Sequence, residues 1–154
     1  MMDWLAGLGV AGVMIAHPWL YIATSAAHIL GLGLLIGAIL PLDLRLTGLL
    51  RRADLSVLFP FLTRAAMAGF ALAAVTGTAL FLVNPVEYAA NPALQVKAAL
   101  ILLATANAAA LHLTARAAGW QVAAPVPPLA RASAALSIAL WLSTLLAGRW
   151  IGFV

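Results

Sequence analysis

The chain has no cysteine, and only 8% of its 154 residues are charged. The lack of cysteine excludes disulfides, thiolate metal sites and cysteine nucleophiles. The scarcity of charge excludes a water-soluble domain, because such a domain carries about 25% charged residues to cover its surface. The outside of the folded chain must therefore face lipid. Any chemistry must use histidine, methionine, carboxylates, amides or a bound cofactor.

Several catalytic and binding motifs are also missing from the sequence. It contains no phosphate loop, no dinucleotide-binding fingerprint, no HExxH zinc motif and no GxSxG nucleophile elbow. The net charge is +4, but the basic residues are scattered between apolar segments and form no patch that would bind nucleic acid. We therefore expect no nucleic-acid partner, and we do not expect the chain to be an enzyme by itself.

The sequence is instead dominated by apolar residues, which make up 66% of it and give a mean hydropathy of +1.11. Four apolar runs reach the roughly 20 residues that a spanning helix needs. Their richness in Ala and Leu favours helices over barrel strands. Pro18 suits a first helical turn, Pro41 marks the exit of the first run, and Asn84-Pro85 is a turn signal. The sequence predicts one all-α domain over residues 1–154, an integral membrane four-helix bundle with spans at about residues 18–40, 60–83, 94–114 and 129–149.

The apolar stretch ahead of Pro18 is too short to cross a bilayer. No basic residue precedes it and no clear small-residue cleavage site follows, so we do not expect a signal peptide. We predict a short interfacial helix over about residues 3–16, with Trp4 and Trp19 at the level of the lipid headgroups.

The basic residues predict the orientation of the bundle, because they favour the cytoplasmic loops of a membrane protein. Six of the eight lie in or beside the two loops that join the first span to the second and the third to the fourth, namely Arg45, Arg51, Arg52, Arg64, Arg116 and Arg131. Only Lys97 and Arg149 lie on the opposite side. The sequence therefore predicts a multi-pass protein of the bacterial inner (cytoplasmic) membrane with both termini on the periplasmic side.

Small residues at helical spacing predict where the helices meet, because helices associate in lipid through close packing. The pairs are Ala27 with Gly31, Gly33 with Gly37 and Ala73 with Gly77, and the fourth span carries Ser133, Ser137 and Trp141 at intervals of four. These patterns support packing within the bundle. They are equally consistent with a homodimer or with docking onto a larger membrane complex.

His28 is the first candidate for function, because ionisable residues inside a bilayer are costly. It lies ten residues into the first span, which is roughly 15 Å from its outer end and near the midplane. Asn107 in the third span is expected at a similar depth, with hydroxyl groups of Thr24, Ser25, Thr76 and Thr78 within reach. Such a set could hold a haem, a metal or a quinone head group. The alternative is that His28 donates one hydrogen bond across the bundle and only fixes packing.

His112, Lys97 and Arg149 are further candidates for binding a cofactor. By the same helical rise His112 lies roughly 10 Å deeper than His28, so the two do not favour joint ligation of one haem. An interfacial histidine is the alternative for His112. Lys97 and Arg149 lie at the outer ends of their spans, where each could extend to the membrane surface or bind a haem propionate or a lipid phosphate.

A copper site is a third possibility for this chain. His17 precedes the first span, and Met14 lies three residues before it. Soft Met and His groups at an outer mouth would accept Cu(I), with His28 further in. The alternative for His17 is an ordinary interfacial histidine.

Several segments taken in order resemble a family of small bacterial four-helix inner-membrane proteins whose function is uncharacterised. They are WLY at 19–21, HILG at 28–31, GAILPLDLRL at 37–46, TGTALF at 76–81, NPALQVK at 91–97 and GRWIG at 148–152. The resemblance covers most of the chain after residue 17. It implies a four-helix membrane fold and a family pattern that includes His28, Asp43, Arg45, Lys97 and Arg149. His28 and the region of Lys97 are also similar to the membrane domain of copper-resistance D proteins, which implies copper handling.

Three functions follow as expectations. The first is a membrane redox module with a b-type haem or a quinone near His28, since a four-helix bundle is a common host for haem. The second is a non-catalytic accessory subunit of a larger membrane complex. The third is copper handling through Met14, His17 and His28.

Overall fold

The computed structural model describes residues 9–50, 54–119 and 126–153, and within them it is helical with no strand. There are six α-helices and one short 3₁₀ helix in these ranges. They are α1 (Gly9–Ala16), α2 (Pro18–Thr47), α3 (Leu55–Phe81), α4 (Pro85–Ala90), α5 (Pro92–Ala118), α6 (Pro128–Trp150) and the 3₁₀ helix Ile151–Phe153. The predicted all-α class is confirmed.

Four of these helices are long and apolar enough to cross a membrane, namely Pro18–Thr47, Leu55–Phe81, Pro92–Ala118 and Pro128–Phe153. The longest has 30 residues and is therefore about 45 Å long, which exceeds the roughly 30 Å of a bilayer core. Large apolar side chains such as Ile29, Leu102 and Leu146 are mostly exposed on the outside of the bundle. A surface of this kind requires lipid around it, so the predicted four-helix membrane bundle is confirmed.

Two prolines do not end helices as the sequence suggested. Pro41 lies inside α2, which continues to Thr47, and Pro60 lies inside α3, which begins at Leu55. Pro41 removes one backbone hydrogen bond and crowds the carbonyl four residues earlier, which belongs to the small residue Gly37. Prolines within membrane helices are tolerated where neighbouring groups adjust around them.

Stronger signals set the actual ends of these helices. Gly48 adopts a left-handed φ of 94°, and its N–H bonds to the carbonyl of Arg45, which terminates α2. Asp54 caps α3, because its side chain accepts a hydrogen bond of 2.9 Å from the N–H of Ser56. Asn91 caps α5 in the same way.

The segment between the second and third spans contains the short helix α4, where the sequence indicated a loop. The predicted interfacial helix corresponds to α1, which ends at Ala16, while Trp4 lies outside the described residues, as do Arg51 and Arg52. In the following we call the end of the bundle with α1, α4 and the 3₁₀ helix the termini side. The opposite end, where α2 leads to α3 and α5 leads to α6, is the loop side.

The bundle is packed unevenly around its circumference. Close backbone approaches join α2 to α3, α2 to α6 and α5 to α6. The tightest lies between α2 and α3, where a Cβ atom at Gly69 would be 2.5 Å from the backbone nitrogen of Leu35 and 2.8 Å from the carbonyl oxygen of Gly31. The backbones of α3 and α5 approach less closely, and side chains bridge them.

The predicted small-residue pairs divide into two groups. Gly31 and Ala73 form the contact between α2 and α3. Gly33 and Gly37 face outward, and a Cβ atom at either would meet no described atom within 4 Å. The GxxxG pair therefore makes no helix contact within the described part of this bundle.

Candidate functional site

A pocket of about 500 Å³ lies in the termini-side half of the bundle. All four long helices line it, together with α4 and the 3₁₀ helix. Its volume is within the ~300–1,000 Å³ that is usual for small-molecule sites. Most of the lining is aliphatic or aromatic, and the side chains that bring polar groups are Tyr21, His28, Thr78, Tyr88, Lys97, Trp141 and Thr144. A largely apolar pocket with a few polar groups is typical of a binding site for a lipid-soluble or aromatic ligand.

The pocket opens toward the outside of the bundle between α3 and α5. Ala74 and Thr78 on α3 and Ala98 on α5 line the pocket, and all three are also exposed. This opening coincides with the wider separation of the two helix backbones. In a bilayer, the exposed outside of the spanning helices faces lipid tails.

His28 is held in the pocket by a hydrogen bond that fixes its tautomer. Its Nδ1 lies 3.0 Å from Thr76 Oγ1. The Thr76 hydroxyl donates its own proton to the carbonyl of Leu72 at 2.6 Å, so it can only accept from His28. Nδ1 is therefore the protonated nitrogen. Nε2 keeps its lone pair, and within the described residues the other group that bonds the His28 ring is the backbone of Ala73.

Gly77 makes room for the imidazole of His28. A Cβ atom at Gly77 would lie 2.9 Å from His28 Cε1 and 3.4 Å from Nδ1. Any larger residue here would push the ring away from Thr76. The interval of four between Ala73 and Gly77 thus serves two purposes, since Ala73 packs on α2 and Gly77 admits the side chain of His28.

Lys97 enters the same pocket from α5 and lies across Gly148 of α6. A Cβ atom at Gly148 would be 3.3 Å from Lys97 Nζ and 3.4 Å from its Cε. Its charge acts on His28, and no carboxylate of the described residues acts on Lys97 in turn. A partly buried ammonium group without a carboxylate partner is suited to an anionic or strongly hydrogen-bond-accepting ligand.

Trp141 of α6 forms part of the wall of this pocket. Its side chain is only 4% exposed, and its ring packs edge-on against Phe70 with 6.5 Å between the centroids. The indole Nε1 is buried and, within the described ranges, has no hydrogen-bond partner. Buried indole N–H groups usually find a partner, so this donor is a notable exception.

Two tyrosines lie at the end of the pocket nearest the termini. The hydroxyl of Tyr88, from α4, pairs with that of Tyr21, from α2. Burial raises the pKa of the Tyr88 phenol, and the neighbouring Tyr21 and the negative charge of Glu87 raise it further. Tyr88 is therefore a neutral hydrogen-bonding group at neutral pH.

The structure places His112 and Asn107 away from this pocket. The Nδ1 of His112 donates to the carbonyl of Ala108 at 2.8 Å, and its Nε2 accepts from Thr63 at 3.1 Å, so both ring nitrogens are used. Asn107 donates to the backbone carbonyl of Ser133 at 3.0 Å and accepts from the Ser133 hydroxyl at 2.9 Å. These contacts join α5 to α3 and to α6, respectively, and neither side chain lines the pocket.

The other predicted site residues are also apart from His28. Arg149 is exposed, with its guanidinium 4.7 Å from the ring centre of Phe153. Met14 is buried and His17 is exposed, and the helix breaks at His17 between α1 and α2. Neither lines the pocket, and no group of three or more His, Cys, Asp or Glu residues suited to a metal occurs in the described ranges.

Of the predicted residues, the structure thus brings together His28, Lys97 and Thr78, with Thr76 behind His28. Tyr21, Tyr88 and Thr144 also line the pocket, although they were not predicted from the sequence. Trp141 was predicted only as a packing residue. The placement of Trp141 in the row of Ser133 and Ser137 was the available signal, because a row at intervals of four faces one side of a helix.

Comparison of the chain with known protein families, with characterised proteins and with solved structures gives no match. The site must therefore be interpreted from its own geometry. That geometry is a membrane-spanning bundle with a half-open apolar pocket, one oriented imidazole, one ammonium group and one buried indole donor.

Proposed function

We propose that the protein is a small membrane redox module whose pocket binds a b-type haem through Nε2 of His28. The observation that carries this proposal is the orientation of His28, whose Nδ1–H is bonded to Thr76 while Nε2 keeps its lone pair. Metal-ligating histidines almost always donate their other ring N–H to a fixed acceptor, which orients the ring and raises its basicity. Thr76, itself held by the carbonyl of Leu72, supplies that acceptor.

Lys97 supports the proposal, because a haem carries two negatively charged propionates. The Lys97 ammonium shares the pocket with His28 and has no carboxylate partner among the described residues. It would pair with a propionate at the termini side. If the excess of basic residues on the loop side orients the bundle, this end of the pocket lies toward the periplasm.

Among the described residues, the pocket lining includes one histidine, no second histidine and no methionine. His112 is committed to Ala108 and Thr63, and Met14 lies outside the lining. We therefore propose that His28 would be the one protein ligand of the haem. Such a centre differs from the bis-histidine haems of electron-transfer bundles, and it would bind a small exogenous ligand such as carbon monoxide.

A quinone is the second candidate ligand, favoured by the opening between α3 and α5. A quinone ring could enter through that opening from the bilayer and leave its apolar tail among the lipids. One of its carbonyl oxygens would accept a hydrogen bond from Lys97 Nζ. In that case His28 would face the ring without ligating a metal.

The test is a haem titration of the detergent-purified protein, followed by absorption spectra of the oxidised and dithionite-reduced forms. The expected result is one haem per chain, a Soret band that sharpens on reduction, and a further shift with carbon monoxide. His28→Ala should abolish the band. His112→Ala is the matched control, because it removes the other spanning-helix histidine and should leave the Soret band unchanged.

Two outcomes would count against haem. Equal binding by the wild type and His28→Ala would show that His28 is not the ligand. A failure to bind haem, combined with a quinone in the organic extract of the purified protein, would favour the second candidate. Lys97→Gln should weaken the binding of either ligand, so it tests the part that Lys97 plays in the pocket and does not distinguish haem from quinone.

A further inference from the structure

The pocket is polar at its termini-side end and apolar at its deeper end. Lys97 lies across Gly148 of α6, and Trp141 lies seven residues further toward the loop side on the same helix. At 1.5 Å per residue, this separation is about 10 Å along the helix axis. Around Trp141 the lining is formed by apolar side chains such as Leu35 and Phe70. The pocket therefore has the polarity of a lipid in the adjacent leaflet, whose polar group faces outward and whose chain points toward the bilayer centre.

Lys97 is the cationic side chain of this pocket, and no carboxylate occurs in the described part of the lining. The protons of His28 Nδ1, Thr78 Oγ1 and Thr144 Oγ1 are already donated to neighbouring oxygen atoms, at 3.0, 2.9 and 2.8 Å respectively. The ammonium group of Lys97 offers three N–H donors. An anionic group in the pocket would therefore bind at Lys97, because an opposite charge nearby compensates the burial of each.

The tyrosine pair supplies a second donor at the same end of the pocket. The hydroxyls of Tyr21 and Tyr88 are paired with each other, which uses one of their two protons. The other proton is available to a ligand, since both side chains line the pocket. An ammonium group and a phenol hydroxyl together suit a carboxylate, because each of its two oxygen atoms accepts hydrogen bonds.

The route into the pocket favours a ligand from the bilayer. The termini-side end is lined by α4 and the 3₁₀ helix, through Tyr88 and Ile151. The opening lies between α3 and α5, at Ala74, Thr78 and Ala98, on the outside that faces lipid tails. A fatty acid would reach this opening from within its leaflet, in the orientation that the polarity of the pocket requires. The volume of about 500 Å³ is within the range of small-molecule sites, which favours a ligand with one chain over a phospholipid with two.

We propose that the pocket, when it holds no haem, binds a long-chain fatty acid from the surrounding leaflet. The carboxylate pairs with Lys97 and accepts a hydrogen bond from the tyrosine pair, and the chain runs along α6 toward Trp141. Fatty-acid binding does not depend on the proposed haem site. Only the consequence that haem and the fatty acid compete for Lys97 rests on the proposed function.

The first test is fluorescence quenching of the haem-free protein in nanodiscs of dioleoylphosphatidylcholine, a lipid without net charge. A fatty acid brominated at the end of its chain should quench Trp141, because bromine quenches tryptophan emission on contact. The contribution of Trp141 among the five tryptophans is the emission that Trp141→Phe removes. A fatty acid brominated beside its carboxyl group should leave this emission unchanged. Quenching that does not saturate, or that is equal for the two positions of bromine, would overturn the proposal.

The second test measures how well palmitic acid and its methyl ester displace the chain-end probe. In the wild type, the acid should act at a concentration roughly 10- to 100-fold lower than the ester, which corresponds to one hydrogen bond to a charged group. Lys97→Met should remove this preference. Arg149→Met is the matched control and should retain it, because Arg149 also lies on the termini side but is exposed and outside the described lining.

Equal displacement by acid and ester in the wild type would overturn the proposal without relying on the folding of any variant. A preference that survives in Lys97→Met, or that is lost in Arg149→Met, would overturn it as well. Equal displacement by dioleoylphosphatidic acid would show that the site accepts a two-chain phospholipid, which also contradicts the proposal. The haem titration is separate and tests His28, so failure of the haem site and failure of the fatty-acid site are distinguishable.

Discussion

Gly77→Ala is the substitution that most directly tests whether the orientation of His28 matters. The added Cβ would lie 2.9 Å from His28 Cε1, so the imidazole must move away from α3. The ring then loses its bond to Thr76, worth about 1 kcal/mol, and leaves its preferred rotamer at a cost of about 1 kcal/mol. The two effects together remove about 2 kcal/mol from the orientation that presents Nε2, which corresponds to roughly 30-fold weaker haem binding.

Stability should change much less than binding in this variant. Alanine in a helix interior is about 0.5–1 kcal/mol better than glycine, which offsets part of the loss. We therefore expect thermal unfolding, followed by circular dichroism, to change by the equivalent of about 1 kcal/mol at most. The absorption titration with haem should show the 30-fold loss.

Gly33→Ala is the matched control, since a Cβ atom there meets no described atom within 4 Å. It should gain the same helix propensity and bind haem as the wild type does. If Gly77→Ala bound haem as tightly as Gly33→Ala, the contact between Gly77 and His28 would have no role in presenting Nε2. The assignment of His28 as an oriented ligand would then be refuted.

Three further predictions concern the scaffold around the pocket. Gly69→Ala should lower the thermal unfolding temperature by the equivalent of at least about 2 kcal/mol, because its Cβ would meet backbone atoms of α2 at 2.5 and 2.8 Å. Gly37→Ala is the control and should not lower it. Equal stability of the two variants would contradict the close crossing of α2 and α3. Asn107→Ala should lower the free energy of unfolding by about 1–3 kcal/mol in the same assay, because it breaks two hydrogen bonds to α6. It should leave the affinity for haem unchanged. A large loss of affinity would instead place Asn107 at the site. Asp54 has a pKa below its ordinary value because of the hydrogen bonds from Ser56, so its cap is present at neutral pH and should be lost as the pH falls through that lowered pKa. The protection factor of the Ser56 amide, which compares its exchange rate with the intrinsic rate at the same pH, should fall on acidification in the wild type and not in Asp54→Asn. An identical response of both would show that the cap does not depend on the charge.

The sequence predicted the number of spanning helices, because a long apolar run with few charges has few alternatives. It misplaced the helix ends at Pro41 and Pro60. Proline disfavours a helix interior because it lacks an N–H and its ring crowds the preceding turn, but in membrane helices neighbouring groups adjust around it and the helix continues. The left-handed Gly48 and the cap at Asp54 were better signals for these ends.

The candidate site was predicted in part. The sequence predicted His28 and Lys97 as separate candidates, and the structure places both in one pocket. Depth along a helix does not determine which face a residue occupies, and Asn107 shows this, since it faces Ser133 and not the pocket. No pattern in the sequence could reveal the orphaned Nε1 of Trp141, because hydrogen-bond satisfaction depends on atoms from several helices.

The close crossing of α2 and α3 has a mechanical consequence for ligand entry. Where the two backbones touch at Gly31 and Gly69, neither helix can slide or tilt without a steric clash. We therefore expect α2 and α3 to move together as one rigid unit. His28 belongs to this rigid unit, whereas Lys97 belongs to α5, which is joined to α3 mainly through side chains. We therefore expect any motion that widens the pocket between α3 and α5 to be a movement of α5 relative to the imidazole of His28. An entering ligand would first contact the fixed imidazole of His28 and then the movable side chain of Lys97.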